Sequence, residues 1–227
     1  MPETSSNPYR LSDDILPRSY RLFLEPDLDA AVFAGHVEID LEVIAESSAV
    51  ILNAIDLEIS SASVTRADGS EVSCTVTLDA ETERATITPP EALTVGPATI
   101  ALTFTGILND QLTGFYRSTF VDDAGVTRTI ATTQMEATDA RRAFPCFDEP
   151  AKKATFEITL VVPEDLQAYS NSPVASEEHR SNGTRVVRFT PTMVMSTYLV
   201  AFIVGPFEET PVLDVDGTPV RIVFPPR

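Results

Sequence analysis

In HVEIDLEVI, residues 36–44, polar and apolar residues alternate without a break from His36 to Val43. Val37, Ile39, Leu41 and Val43 fall on one side, and His36, Glu38, Asp40 and Glu42 on the other. Side chains of a strand point alternately to its two faces, so this segment buries one face and leaves the other to water. That is the signature of a half-buried antiparallel strand. ATIALTF at 98–104 repeats the pattern through Ile100, Leu102 and Phe104, and TFEITLVV at 155–162 through Phe156, Ile158, Leu160 and Val162. TYLVAFIV at 197–204 reads as a further strand, broken by Gly205-Pro206. Asp68-Gly69, Asn182-Gly183 and Asp216-Gly217 supply the positive φ of tight hairpins, and DDAG at 122–125 reads as a slightly longer one. About a dozen strand candidates and no segment of helical period predict an all-β fold, either antiparallel sheets packed face to face as a β-sandwich or one large curved sheet.

The bulk composition narrows the function. The chain has 227 residues, 43% of them hydrophobic, enough for a proper core. Its net charge is −18, from 34 acidic and 16 basic residues. A nucleic-acid binder or a protein of anionic membrane surfaces needs a basic face, so neither partner is expected. No stretch approaches the roughly 18 apolar residues of a membrane helix. The polar opening, MPETSSNPYRLSDD, lacks the apolar core of a secretory signal, and residues 1–7 read as a flexible tail. Cys74 and Cys146 are too few for a disulfide framework and suit reduced thiols in the cytoplasm. His36 and His179 form no ligand pair, so no metal site and no cofactor are expected in this chain. There is no G-x-S-x-G elbow and no glycine-rich phosphate loop. LDVDG at 213–217 lacks the later acidic ligands of a calcium loop and reads as a hairpin turn.

One stretch departs from the strand pattern: TTQMEATDARRAFPCFDEPAKKATFEITL, residues 132–160. Long irregular segments inside compact domains are uncommon and often functional. Thr138 or Asp139 is placed to cap a short helical turn, with Arg141 or Arg142 closing it. Asp139, Arg141, Arg142, Asp148 and Glu149 read as structural residues, with the arginines pairing Asp148 and Glu149 to pin the loop. Gln134 and Glu136 stand two apart at a strand end, which predicts side chains on one side. A carboxylate beside a neutral amide suits the capture of an ammonium group.

On these residues the chain resembles the N-terminal domain of the aminopeptidase N and puromycin-sensitive aminopeptidase family of zinc metallopeptidases. YRLSDDILPRSYRLFLEPDL (9–28), FAGHVEIDLEV (33–43), ILNAIDLEI (51–59), GFYRSTF (114–120) and YLVAFIVGPFE (198–208) extend the resemblance to residues 8–227. It implies a saddle-shaped β-sandwich ahead of a catalytic domain that carries G-A-M-E-N and H-E-x-x-H and holds one zinc. Neither motif occurs in this sequence, so the resemblance implies a substrate-anchoring domain that is catalytically silent alone. It further implies that Glu136 binds the α-amino group of a peptide, with Gln134 near the first residue and Tyr116 near the cleft. The expected partners are then a peptide N-terminus and the domain's own catalytic domain.

Three segments are expected: the tail 1–7, the sandwich 8–207, and a connecting hairpin 208–227 that opens the next domain. The chain stops just after strand-like VRIVF, which reads as a piece of a longer protein. The rival reading is a stand-alone, non-catalytic β-sandwich interaction module.

Overall fold

The computed structural model describes residues 10–226, so the expected tail at 1–7 lies outside the described residues. The fold is all-β. Its helical content among the described residues is two single 3-10 turns, Ala140–Arg142 and Thr197–Leu199. None of its helices is long and apolar enough to cross a membrane.

The main layer is an eight-stranded sheet. Its strands run, in spatial order, Val174–His179, Thr184–Phe189, Thr155–Pro163, Ile15–Asp27, Val32–Val43, Gly96–Ile107, Leu57–Thr65 and Glu71–Ser73. The opening stretch sits near its centre, with Val37 paired to both Leu22 and Leu102. Val37, Ile39, Leu41 and Val43 are all buried, as the alternation requires. One feature departs from a purely antiparallel sheet: Ile15–Asp27 pairs in parallel with Thr155–Pro163, Tyr20 beside Phe156. Parallel neighbours need a long connection, and here most of the chain lies between the two strands.

A four-stranded sheet, in the order Gln167–Ser170, Phe202–Gly205, Thr127–Gln134 and Gly114–Val121, faces the buried side. Three rings tie the layers together. Phe33 of the large sheet lies 5.3 Å from Phe115, and Phe115 meets Phe202 edge-on at 4.7 Å. A three-stranded sheet, Val50–Asn53, Arg84–Thr88 and Thr75–Asp79, adds Val50, Leu52, Ala85 and Ile87 to the same core. The expected strand over TYLVAFIV is shorter than its apolar run suggests. Thr197–Leu199 is a 3-10 turn and the strand begins at Phe202, because buried Thr197 is held by the carboxylate of Asp148. Residues 208–226 form two short antiparallel pairs, Glu208–Glu209 with Val223–Phe224 and Leu213–Val215 with Thr218–Val220.

The polar face of the large sheet carries an ion cluster. Arg21 makes two hydrogen bonds to Asp40, at 2.7 and 2.9 Å, and Ser19 and Thr99 donate to the same carboxylate at 2.6 and 2.8 Å. The Arg21 guanidinium first, then the two hydroxyls, hold the Asp40 carboxyl at about 2 against the opposing effect of burial. The folded value lies below that of the unfolded chain, near 4, so the contribution to stability is present above about pH 4 and lost as pH falls toward 2. Asp40→Asn is therefore expected to flatten the acid arm of the stability curve, read as urea midpoints at pH 4, 3 and 2. Parallel curves for variant and parent would refute this account.

Candidate functional site

The strand Thr127–Gln134 ends where residues 135–154 turn inward. This segment is a plug more than a surface loop. Met135, Ala140, Ala143, Phe144, Cys146, Phe147 and Ala154 are all buried. Tyr20, on the inner face of the large sheet, takes Phe144 edge-on at 6.2 Å and stacks on Phe156 at 4.7 Å. A buried irregular segment must satisfy its backbone without a ladder. Asn53 and Cys146 exchange two backbone bonds of 2.7 and 3.1 Å, the Phe147 amide donates to the Tyr20 hydroxyl at 3.1 Å, and the Asp148 amide donates to Asn53 Oδ1 at 3.2 Å. Burial pushes both the Tyr20 phenol and the Cys146 thiol well above their ordinary values, so both stay neutral and serve as packing.

The charged residues of the segment bind each other and their surroundings. Arg141 Nε donates to Asp148 at 3.0 Å, and its Nη1 donates to Glu83 at 2.8 Å. Arg142 Nε donates to Asp139 at 2.9 Å, and its Nη1 pairs with Asp56. Glu149 turns away from the loop's own arginines and takes Arg10 Nε at 3.1 Å. Asp139 occupies the cap position of the 3-10 turn as expected, yet makes no side-chain capping bond, because its carboxylate is engaged by Arg142. The turn seats against the hairpin at Gly114, which has φ +65. A Cβ there would lie 2.6 Å from Arg142 Cβ and 3.3 Å from the Asp139 carbonyl oxygen, so only glycine lets the two segments meet.

Gln134 is the last residue of its strand and stands opposite Gly114. Glu136 lies beyond the strand end, so the period of two does not govern its direction. The two residues are linked instead by a bond from the Glu136 amide to Gln134 Oε1 at 3.4 Å. A cis peptide joins Glu136 to Ala137, and the Asp139 amide closes the turn onto the Met135 carbonyl at 3.0 Å. Gln134, Glu136, Ala137 and Thr138 are exposed. Tyr116 is half-buried and pairs with Thr132, which places it on the same sheet face as Gln134, one diagonal step away. Clefts of about 530, 600 and 490 Å³ have none of Gln134, Glu136 and Tyr116 in their linings.

Among the described residues the Glu136 carboxylate makes no hydrogen bond or ion pair. A free carboxylate on a braced turn, with an amide beside it, is chemically suited to an ammonium ion. The described residues form no group of three or more His, Cys, Asp and Glu suited to a metal ion. His36 bonds Thr103 at 3.2 Å and His179 bonds Glu164 at 2.5 Å, on separate strands, so the histidines do not fit a zinc site. Several residues that build the site had no local sequence signal: Arg10, Asn53, Glu83 and Thr197 reach the segment from distant strands and turns. Gly114 alone carried a hint, as a glycine opening a strand.

Fold and site together define a layered β-domain that presents one unpaired carboxylate on an internally fastened turn. The family follows from comparison. Residues 16–199 match the peptidase M1 N-terminal domain, and the chain belongs to that family. It is 43% identical over 217 residues to aminopeptidase M1 of Arabidopsis thaliana, covering 94% of this chain and 24% of the relative. It is 44% identical over 218 residues to aminopeptidase M1-A of Oryza sativa subsp. japonica, with the same coverages. Aminopeptidase 2, mitochondrial, of Saccharomyces cerevisiae is 43% identical over 200 residues, 86% of this chain and 20% of the relative. The chain thus spans about a quarter of the length of these relatives.

Proposed function

We propose that this domain anchors the free N-terminus of a peptide in a longer zinc aminopeptidase, with Glu136 as the residue that binds the α-amino group. One observation carries the reading. The other acidic residues of the segment each face an arginine: Asp139 with Arg142, Asp148 with Arg141, Glu149 with Arg10. Glu136 has no such partner among the described residues and is exposed. In a chain of net charge −18, a braced turn that leaves one carboxylate unpaired is an arrangement for a cation from outside. Gln134 stands beside it as the neutral neighbour of the first residue's backbone, and Tyr116 flanks the approach. Zinc belongs, in this reading, to the part of the protein beyond this sequence.

The remainder of the protein docks on the face that carries the exposed apolar residues at the same segment's C-terminal end. Met193, Val194 and Leu199 are exposed apolar residues around the Met195–Ala154 bridge, at the far end of the same segment. Residues 8–207 form the anchoring domain, and 208–227 lead out of it. The unpaired Cys74 and Cys146 suit a reducing compartment, and we place the protein in the cytoplasm.

The test is the full-length protein assayed on an aminoacyl amide and on its N-acetylated counterpart. A preference for the free amine of at least about tenfold is expected. Equal cleavage of both, or cleavage of neither, would overturn the reading.

A further inference from the structure

The segment that carries Glu136 is fastened from an unexpected side. Residues 10–13 run across residues 149–152 as a strap. Both oxygens of Glu149 are engaged by it: one takes Arg10 Nε at 3.1 Å and the other takes the Leu11 amide. Lys152 supplies the second fastening. Its side chain is 3% exposed, and its ammonium donates to the Ser12 carbonyl at 2.8 Å and to Asp13 at 2.6 Å. Those are the only partners of that ammonium among the described residues. If the strap lifts, a buried cation loses its compensation, which is strongly unfavourable. Leu11 is itself buried in the core, which seats the strap from below. The Asp14 carbonyl holds its far end by accepting the Ile44 amide at 2.7 Å.

From this strap a continuous set of contacts runs to the exposed turn. Glu149 adjoins Asp148, which holds Arg141 of the 3-10 turn at 3.0 Å. Arg142 of that turn holds Asp139 at 2.9 Å, and the Asp139 amide closes onto Met135, next to Glu136. The strap and the exposed turn also share one cleft of about 350 Å³, which Arg10 and Glu149 line together with Thr138.

We propose that Glu149 and Lys152 are positioning residues: by holding residues 10–13 across the segment they fix the turn that presents Glu136 to a peptide amine. The proposal rests on the amine-anchor reading above. Its chemistry is geometric, since neither residue reaches the substrate. Loss of the strap leaves the reacting groups intact and loosens the amine site, which weakens its hold on the peptide equally in ground and transition states.

The experiment compares Lys152→Met, Glu149→Gln and Arg10→Ala in the full-length protein, with Glu136→Ala as the control. Arg10 has a side chain 57% exposed, so its variant keeps the fold even where a buried substitution does not. Amide exchange over residues 135–142 and steady-state kinetics are read on each. Faster exchange there, with KM raised about threefold or more and kcat within about twofold, is expected. Unchanged exchange in all three variants overturns the strap. So does faster exchange without a change in KM, provided Glu136→Ala does raise KM, and in that case the anchor stands. If Glu136→Ala leaves KM unchanged, the anchor reading falls first and takes this proposal with it.

Discussion

Glu136→Ala in the full-length protein is expected to raise KM for peptides with a free N-terminus by about 10- to 150-fold. This corresponds to the roughly 1.5–3 kcal/mol of a hydrogen bond to a charged group. The bare Coulomb attraction at ~4 Å and an effective dielectric of ~20 is nearer 4 kcal/mol, and desolvation of both partners offsets part of it. The effect falls on KM more than on kcat where the amine is held equally in ground and transition states. The fold should not notice: Glu136 is exposed and unpaired among the described residues, so the melting temperature stays within the range of an ordinary surface change. Glu136→Gln keeps the shape and one acceptor but loses the charge, and should fall between the alanine variant and the parent. A KM within twofold of the parent for both variants would remove Glu136 from the substrate.

What could be read from the sequence, and what could not, divides by distance along the chain. The alternation at 36–44 requires one buried face, and a slip of one residue would expose Val37, Ile39, Leu41 and Val43 together, so the strand and its register were legible. The Gly-centred turns were legible for the same local reason: Gly69, Gly183 and Gly217 all have φ near +80. The parallel pairing of Ile15–Asp27 with Thr155–Pro163 was not, because it joins strands far apart in the chain and leaves no periodicity of its own. Residues 132–160 stood out as an interruption, but their burial did not, since nine charged residues in so short a run suggest a solvated loop. The charges are compatible with the core because their partners arrive from elsewhere: Glu83 to Arg141, Asp56 to Arg142, Arg10 to Glu149 and Asp13 to Lys152. Gln134 and Glu136 were singled out by residue type and spacing. What brings them together is a bond from the Glu136 amide to the Gln134 side-chain oxygen, across a turn that the strand rule does not describe.

Asp148→Ala is expected to be the most destabilising single change in the segment. The Asp148 side chain is 1% exposed and that of its partner Arg141 is 12% exposed. One carboxylate oxygen takes Arg141 Nε at 3.0 Å and the Arg141 amide at 3.3 Å, and the other takes the Thr197 hydroxyl at 2.8 Å. Removing the carboxylate leaves a guanidinium in the interior and a hydroxyl without its acceptor. Breaking one side of a buried pair costs about 3–5 kcal/mol. Glu83 still holds Arg141 at 2.8 Å from a side chain 33% exposed, which places the loss near the lower figure. For a chain of this length that lowers Tm by roughly 6–12 °C. Asp148→Asn retains an acceptor for Thr197 and should cost less. Arg141→Met combined with Asp148→Leu removes both charges, and should recover a large part of the alanine variant's loss, since the cost lies in the orphaned charge more than in the missing attraction. Denaturant unfolding of the four chains decides the matter. If the double variant is as unstable as Asp148→Ala, the pair contributes through its geometry, by joining the 3-10 turn to Thr197, and charge compensation is the lesser part. If Asp148→Ala costs under about 1 kcal/mol, the segment is not held by this pair at all. The support of Glu136 would then have to come from the aromatic packing around Tyr20 and from the strap at residues 10–13.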